Sequence, residues 1–329
     1  MFEAVLLTVI TAATPLLIAA IGELVVERSG VLNLGVEGMM IMGAVIGFAV
    51  ANQTGSGTVG VVAAIVAGMA MSALFGFLVI VLVANQVATG LALTILGLGL
   101  SGMIGEAYIG VPGIRIPEFH SEILAEVPIF GALFFQDGAL IDLSFIKGLS
   151  DIPFIGPVFF QQDAIVYLGF ALVIGVAYTL FRTRVGLILR AVGDNHGSAH
   201  ALGYSVLKIR FLAVLFGGGC AGLAGAYMSL AYTPQWVENM TAGRGWIALA
   251  LVVFASWLPY RVVIGAYLFG AVSVLNLHAQ AIGLGIPSQF LSSLPYIATI
   301  AVLVLISANR RLTLVNTPAC LGKPFVPDR

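Results

Sequence analysis

Charge is scarce in this chain. Lys and Arg number 14 and Asp and Glu 15 among 329 residues, 9% charged in all, against 60% hydrophobic residues and 40 glycines. A soluble domain of this length carries more surface charge, and its apolar runs do not repeatedly reach the roughly 20 residues that cross a bilayer. The formal net charge of −1 leaves no basis for a nucleic-acid role. Cysteine is nearly absent: Cys220 falls in an apolar run and Cys320 in the polar tail, which provides neither a disulfide framework nor metal-ligand spacing. A Walker-type phosphate loop is missing too, since LGKP at 321–324 lacks both the glycine spacing and the hydroxyl that would serve magnesium. His196 and His200 stand four apart, but Gly197 occupies the place of the glutamate in a metalloprotease HExxH, so no metal site is expected. The first apolar segment has Glu3 near its start and neither a basic n-region nor a cleavage site, so it reads as a retained span of a chain beginning at Met1.

What remains is an all-α, polytopic transmembrane bundle. Apolar runs at 4–22, 35–51, 59–84, 87–106, 162–181, 211–231, 245–258, 262–281 and 290–307 predict about nine spans, within a range of eight to ten, in one permeation domain over 1–329. The run at 245–258 is short for a perpendicular helix and reads as tilted, broken or continued through the glycine-rich turn before it. Lys and Arg collect on the cytoplasmic side of membrane proteins. Placing 182–210 inside also puts Arg28, Arg261, Arg310, Arg311, Lys323 and Arg329 inside, leaving Arg115, Lys147 and Arg244 outside. The N-terminus is then outside and the tail at 308–329 cytoplasmic. Residues 107–160, with five prolines and six carboxylates, form a long external cap.

Polar groups at membrane depth are few, and each costs about 2.5–3.5 kcal/mol if ionised, so they are candidates for the pathway. Asn33 and Glu37 are one helical turn apart and can share a face; Glu37 is the one carboxylate expected at depth. Asn276 and Gln280 share a face of the eighth span. Helix-to-helix hydrogen bonding explains all four equally well. Trp246, Trp236, Tyr227 and Phe75 offer stacking faces to a ring-bearing solute, although aromatics near an interface usually serve as anchors. The sixth span holds Gly217, Gly218, Gly219, Gly222 and Gly225, the composition of a tightly packed central helix.

The basic island from Arg182 to Arg210 holds five of the 14 basic residues. Asp194 or Asn195 suits an N-cap, HGSAHAL supplies about two turns, and Gly203 stands where a left-handed C-cap belongs. So short a helix is stable only when packed on something else.

The string GLILRAVGDNHGSAHALGYSVLKIRFLAVLFGGGCAGLAGAY resembles the coupling-helix region of permease subunits of ATP-binding-cassette importers, in the branch that serves branched-chain amino acids, ribose, simple sugars and nucleosides. SGVLNLGVEGMMIMGA, TAGRGWIALALVVF and the tail PACLGKPF resemble the nucleoside and simple-sugar members. His196 departs from the family pattern, where proline commonly follows the asparagine. The resemblance implies a multi-pass permease of a prokaryotic cell (inner) membrane, itself not an enzyme and without a cofactor in this chain. Its partners would be two ATPase subunits carrying ATP and magnesium, a second permease chain, identical or homologous, and an external solute-binding protein. ATPase coupling would fall to Arg190, Gly193, Asp194, Asn195, Ala199 and Gly203, and the solute pathway to Asn33, Glu37, Trp246, Asn276 and Gln280. A nucleoside is the expected solute, with ribose or another simple sugar, or a branched-chain amino acid, as alternatives. A stand-alone secondary transporter or channel is the reading from a different class.

Overall fold

The computed structural model describes residues 2–114, 162–281 and 316–326, with isolated positions between 290 and 304; the side chains of 2–4 and 276–281 are outside that description. Most of the expected cap at 107–160, from residue 115 on, therefore lies outside the described residues, as do most of the ninth run and the side chains of Asn276 and Gln280.

Ten helices run through the described residues: α1 Phe2–Arg28, α2 Val36–Thr54, α3 Gly57–Gly76, α4 Gln86–Gly105, α5 Ala164–Arg182, α6 Arg184–Asp194, α7 His196–Ala201, α8 Val206–Tyr227, α9 Arg244–Phe254 and α10 Pro259–Ala281. Six are long and apolar enough to cross a membrane, two of them (α3 and α8) extended by a π-helical turn, at Phe77–Val81 and Met228–Tyr232. Strand pairing among these residues is confined to isolated bridges, among them Ile109 with Trp236 and Pro112 with Gln235. The polytopic helical bundle expected from composition is what forms.

The glycine-rich sixth run is α8, and it is the centre of the bundle, buried from Gly217 to Tyr227. Van der Waals packing is what holds helices together in lipid, and it improves as backbones approach. Gly218 and Gly222 face Gly68 and Ser72 of α3, and the far side of Gly222 lies against Gly43 of α2. Gly225 sits on the Met40 carbonyl of α2, and Gly22 of α1 abuts Gly217 and Cys220. Added methyl groups at Gly43, Gly68, Gly222 and Gly225 would meet backbone first, and at Gly22 and Gly218 the short side chains of Cys220 and Ser72, so the spacing is set by glycine.

Two crossings are broken, in opposite senses. After α1 ends at Arg28, residues 29–35 turn back and run beside α4: Leu32 donates its N–H to Gln86 Oε1 (2.8 Å), and Thr94 Oγ1 donates to the Leu34 carbonyl (3.1 Å). α2 therefore begins inside the bundle, with Gly38 packed on Leu93 and Thr94 of α4. Counting from Gln86 at 1.5 Å per residue puts that point roughly 11 Å in from the end of α4. From the opposite end, Trp236 packs on Gly105 and the Glu238 carboxylate lies near Gly102, so residues 233–243 descend along the same helix before α9 starts. The short run at 245–258 is thus the second half of a crossing whose first half is irregular. The expectation of continuation through the preceding turn describes it.

The first run extends further than expected. Its apolar pattern ends at residue 22, but α1 continues to Arg28 and buries Glu23 and Glu27, each 1% exposed. Glu37 is therefore not the only carboxylate at depth. Helix end and hydrocarbon boundary do not coincide here, because the returning 29–35 segment and the turn after α9 cover the last turns of α1.

Candidate functional site

The two broken crossings meet at Glu37. Its carboxylate accepts from Thr241 Oγ1 (2.6 Å), the Gly243 N–H (2.8 Å) and the Gly245 N–H (2.6 Å). It therefore closes the N-terminus of α9, where unpaired N–H groups and the helix dipole favour negative charge. Gly245 comes so close to the Glu37 backbone that a Cβ there would lie 2.6 Å from Glu37 Cα. Around the junction Asn239, Ala242 and Gly243 all take positive φ (56°, 46° and 81°), a concentration of left-handed backbone that non-glycine residues adopt only when their surroundings impose it.

Asn33 lies on the other arm, and it does not share a helix face with Glu37, because α2 begins only at Val36. Its Nδ2 donates to Glu23 Oε2 and its N–H to Glu23 Oε1, both at 3.3 Å, while Oδ1 accepts from the Gly35 N–H (3.0 Å). Asn33 ties the returning segment to α1, and Glu37 ties α2 to α9. Glu27 makes a third tie: Oε2 accepts from Trp257 Nε1 (2.6 Å), and Arg28 Nε and Nη2 donate to the Trp257 carbonyl. Glu23 and Glu27 escaped the sequence reading because they follow the apolar run. Their spacing of four after that run was the available signal.

Beside these buried ties, one face of the second broken crossing is open. Gln235, Glu238 and Asn239 are exposed, and Trp246 on the first turn of α9 is 43% exposed. Arg244 folds back instead: Nη1 donates to the Met240 carbonyl (3.0 Å), and the guanidinium lies over the Tyr232 ring. Of the four aromatics named from sequence, Trp236, Tyr227 and Phe75 are buried in the packing and present no face to a solute. A separate cavity of about 680 Å³ between α5, α6 and α8 is lined by Leu168, Leu172, Val176, Leu212, Phe216 and similar side chains. Its walls have almost nothing to hydrogen-bond a polar solute.

At the basic end, the predicted short helix is α7, His196–Ala201, capped by Asn195, whose Oδ1 accepts from the Ser198 N–H (2.9 Å). Gly203 has φ 88°, and its N–H reaches the His200 carbonyl (2.8 Å). A second helix, α6, precedes α7 and ends at Asp194. Gly193 is buried against the Arg28 carbonyl. Ala199 faces inward with Val192 and Val206. Arg190 lies over the Phe181 ring. Asp194, Asn195 and Gly203 are on the outside, beside Leu202, which is 77% exposed. Burial and the neighbouring cations Arg210 and Lys323 hold the His196 imidazole below its ordinary range. No group of three or more His, Cys, Asp or Glu suited to a metal occurs among the described residues.

The family described as branched-chain amino acid transport system / permease component matches residues 5–307. The chain is 41% identical over 317 residues to a protein of Haloferax volcanii named a putative glucose ABC transporter permease protein, covering 89% of this chain and 88% of that one. It is 31% identical over 309 residues to a nucleoside ABC transporter permease protein of Lactococcus lactis, covering 89% of each. It is 30% identical over 330 residues to a guanosine ABC transporter permease protein of Bacillus subtilis, covering 96% of this chain and 94% of that one. No solved structure matches it.

Proposed function

The chain belongs to the permease-component family of branched-chain amino acid transport systems, and from that premise we propose that it carries a nucleoside inward through a path faced by the broken crossing at 233–246. One observation supports this reading above the others. Irregular backbone at membrane depth is tolerated only where it is buried in protein or lines water, and here Glu238 and Asn239 are uncovered on that backbone, with Trp246 uncovered on the first helical turn after it. An uncharged solute with polar edges and a ring suits such a face, with Trp246 stacking on the ring and the short polar side chains meeting hydroxyls and ring nitrogens. Asn33 and Glu37 then act from behind the path, holding the two inner helix ends in place. Asn276 and Gln280 remain candidates for the same path.

Two permease chains would each contribute one such face, and separate ATPase subunits, supplying ATP and magnesium, would dock on the basic end at Asp194, Asn195 and Gly203. The long external segment would receive a solute-binding protein. A simple sugar is the second reading, favoured by the glucose permease named among the relatives. The test is uptake in a deletion strain complemented with the complete transporter, comparing radiolabelled guanosine, uridine, glucose, ribose and leucine. Nucleoside uptake that needs the ATPase subunits is the expected result. Glucose or ribose uptake without nucleoside uptake would replace the first reading by the second.

A further inference from the structure

The C-terminal segment 316–326 lies across the basic end and touches α1, the segment after it, α6, α7 and α8. Its Cys320 N–H donates to the Gly193 carbonyl (2.8 Å), and Cys320 Sγ approaches the Asp194 carbonyl (3.4 Å). One turn on, the Gly322 N–H donates to the Gly30 carbonyl (3.1 Å). Arg28 Nη1 donates to the Asn316 carbonyl (3.0 Å). The Phe325 ring closes the underside of α7, 5.1 Å from the His196 ring and 5.4 Å from that of His200, over the small core of Val192, Ala199 and Val206.

Arg210, buried on the first turns of α8, joins the same parts with one guanidinium. Nε donates to the Ser29 carbonyl (3.1 Å), Nη1 to the Lys323 carbonyl (3.0 Å), and Nη2 meets His196 Nδ1 (3.2 Å). An arginine has only donors, so Nδ1 accepts and the imidazole proton sits on Nε2.

We propose that residues 316–326 are a strap that transmits displacement of α7 to the returning segment 29–35 and so to the Glu37 junction, with Phe325 and Arg210 as positioning residues. The physical reason is the weakness of α7 alone. Six residues do not hold a helix in water, so α7 keeps its shape only with what it packs on, and that support includes Phe325. Besides the side-chain contacts of Arg28, Arg210 and Cys320, the strap is held by backbone hydrogen bonds to Gly193 and Gly30, which leave little slack. Gly30 is three residues from Asn33 and seven from Glu37. A push on the exposed face of α7 therefore reaches the inner end of α2 through contiguous contacts, without passing through the glycine-packed centre.

The inference rests on the permease reading, and the experiment separates the two. The complete transporter, with its ATPase subunits and binding protein, is reconstituted in liposomes, and solute moved per ATP hydrolysed is measured for the wild type, Phe325→Ala, Phe325→Tyr and a chain ending at Lys323. Wild-type uptake establishes the permease reading independently. The strap predicts that Phe325→Ala and the truncated chain copurify with the ATPase at wild-type stoichiometry and lose at least fivefold in solute per ATP, while Phe325→Tyr recovers most of it. An unchanged ratio in both damaged chains overturns the strap. Loss of the ATPase from the purified complex overturns it as well, since the segment would then serve docking rather than transmission.

Discussion

The Gly245 N–H and the Glu37 carboxylate meet at 2.6 Å, joining the first turns of two helices that both begin inside the bundle. Neither helix closes its own N-terminus: the N-cap positions are the glycines Gly35 and Gly243, which have no side chain to accept from the first turn. The junction is therefore the point where one side chain completes α9 and fixes its distance from α2.

Replacing Glu37 by Gln removes the charge and turns an amide NH₂ toward donors. Hydrogen bonds to charged groups contribute about 1.5–3 kcal/mol each, and three are at stake. We expect Glu37→Gln to insert in the membrane at near-normal level, to transport at under one tenth of the wild-type rate, and to show faster hydrogen exchange at 241–247. Gly245→Ala tests the same contact sterically, because its Cβ meets the Glu37 backbone. Normal uptake by both variants would remove the junction from the mechanism.

Glu27 and Trp257 form a separable pair. Trp257→Phe leaves a buried carboxylate without its donor, at a cost of about 1.5–3 kcal/mol, which thermal unfolding in detergent would register. Adding Glu27→Gln should restore part of that loss, since the amide is neutral and easier to bury. A double variant less stable than the single one would mean that the carboxylate has another partner.

The close approach of α3 and α8 carries a steric prediction. Gly222→Leu places a large side chain against the Ala64 carbonyl and Gly68. Overpacking of this kind costs typically about 1–3 kcal/mol, and more where backbone must move. The expected outcome is reduced yield of folded protein by size-exclusion chromatography, whereas Gly99→Leu on the open face of α4 should be neutral.

His196 gives the basic end a pH dependence. Its pKa in the fold lies below the ordinary value of 6.5, from burial first and then from Arg210 and Lys323. The unfolded state therefore binds the proton more readily, and stability rises with pH through this window. The contribution of neutral His196 is complete above 6.5 and is lost as pH falls through the lowered folded value. Protonation also places two cations at the Arg210 contact. Hydrogen exchange at 196–201 should accelerate on acidification from pH 7.5 to 5.5, and His196→Asn should flatten the response; an identical profile in both would exclude the histidine.

Much of this was legible in sequence because hydrophobic length and charge asymmetry are local signals. Composition alone established a helical membrane protein, and the glycine cluster identified α8 as its centre. Asn195, the short helix and Gly203 could be read because caps depend on neighbouring residues. The partners of Asn33 and Glu37 could not. They lie on α1 and on α9 with its preceding turn, more than 200 residues away in the second case, and depend on where α2 starts. Glu23 and Glu27 lie beyond the apolar run and are buried only because the returning segment covers them. The aromatic residues Phe75, Tyr227 and Trp236 looked like binding faces until packing sealed them, while Trp246 stayed open. By itself the sequence determined the class, the places of the six long helices among the described residues and the capped element at the basic end, since each follows from the free energy of burying or capping a contiguous stretch. Tertiary structure alone decided that two crossings are broken, that a glutamate bridges them and that the tail holds the capped helix, because those depend on which distant backbone groups lack a partner and what lies within 3 Å of them.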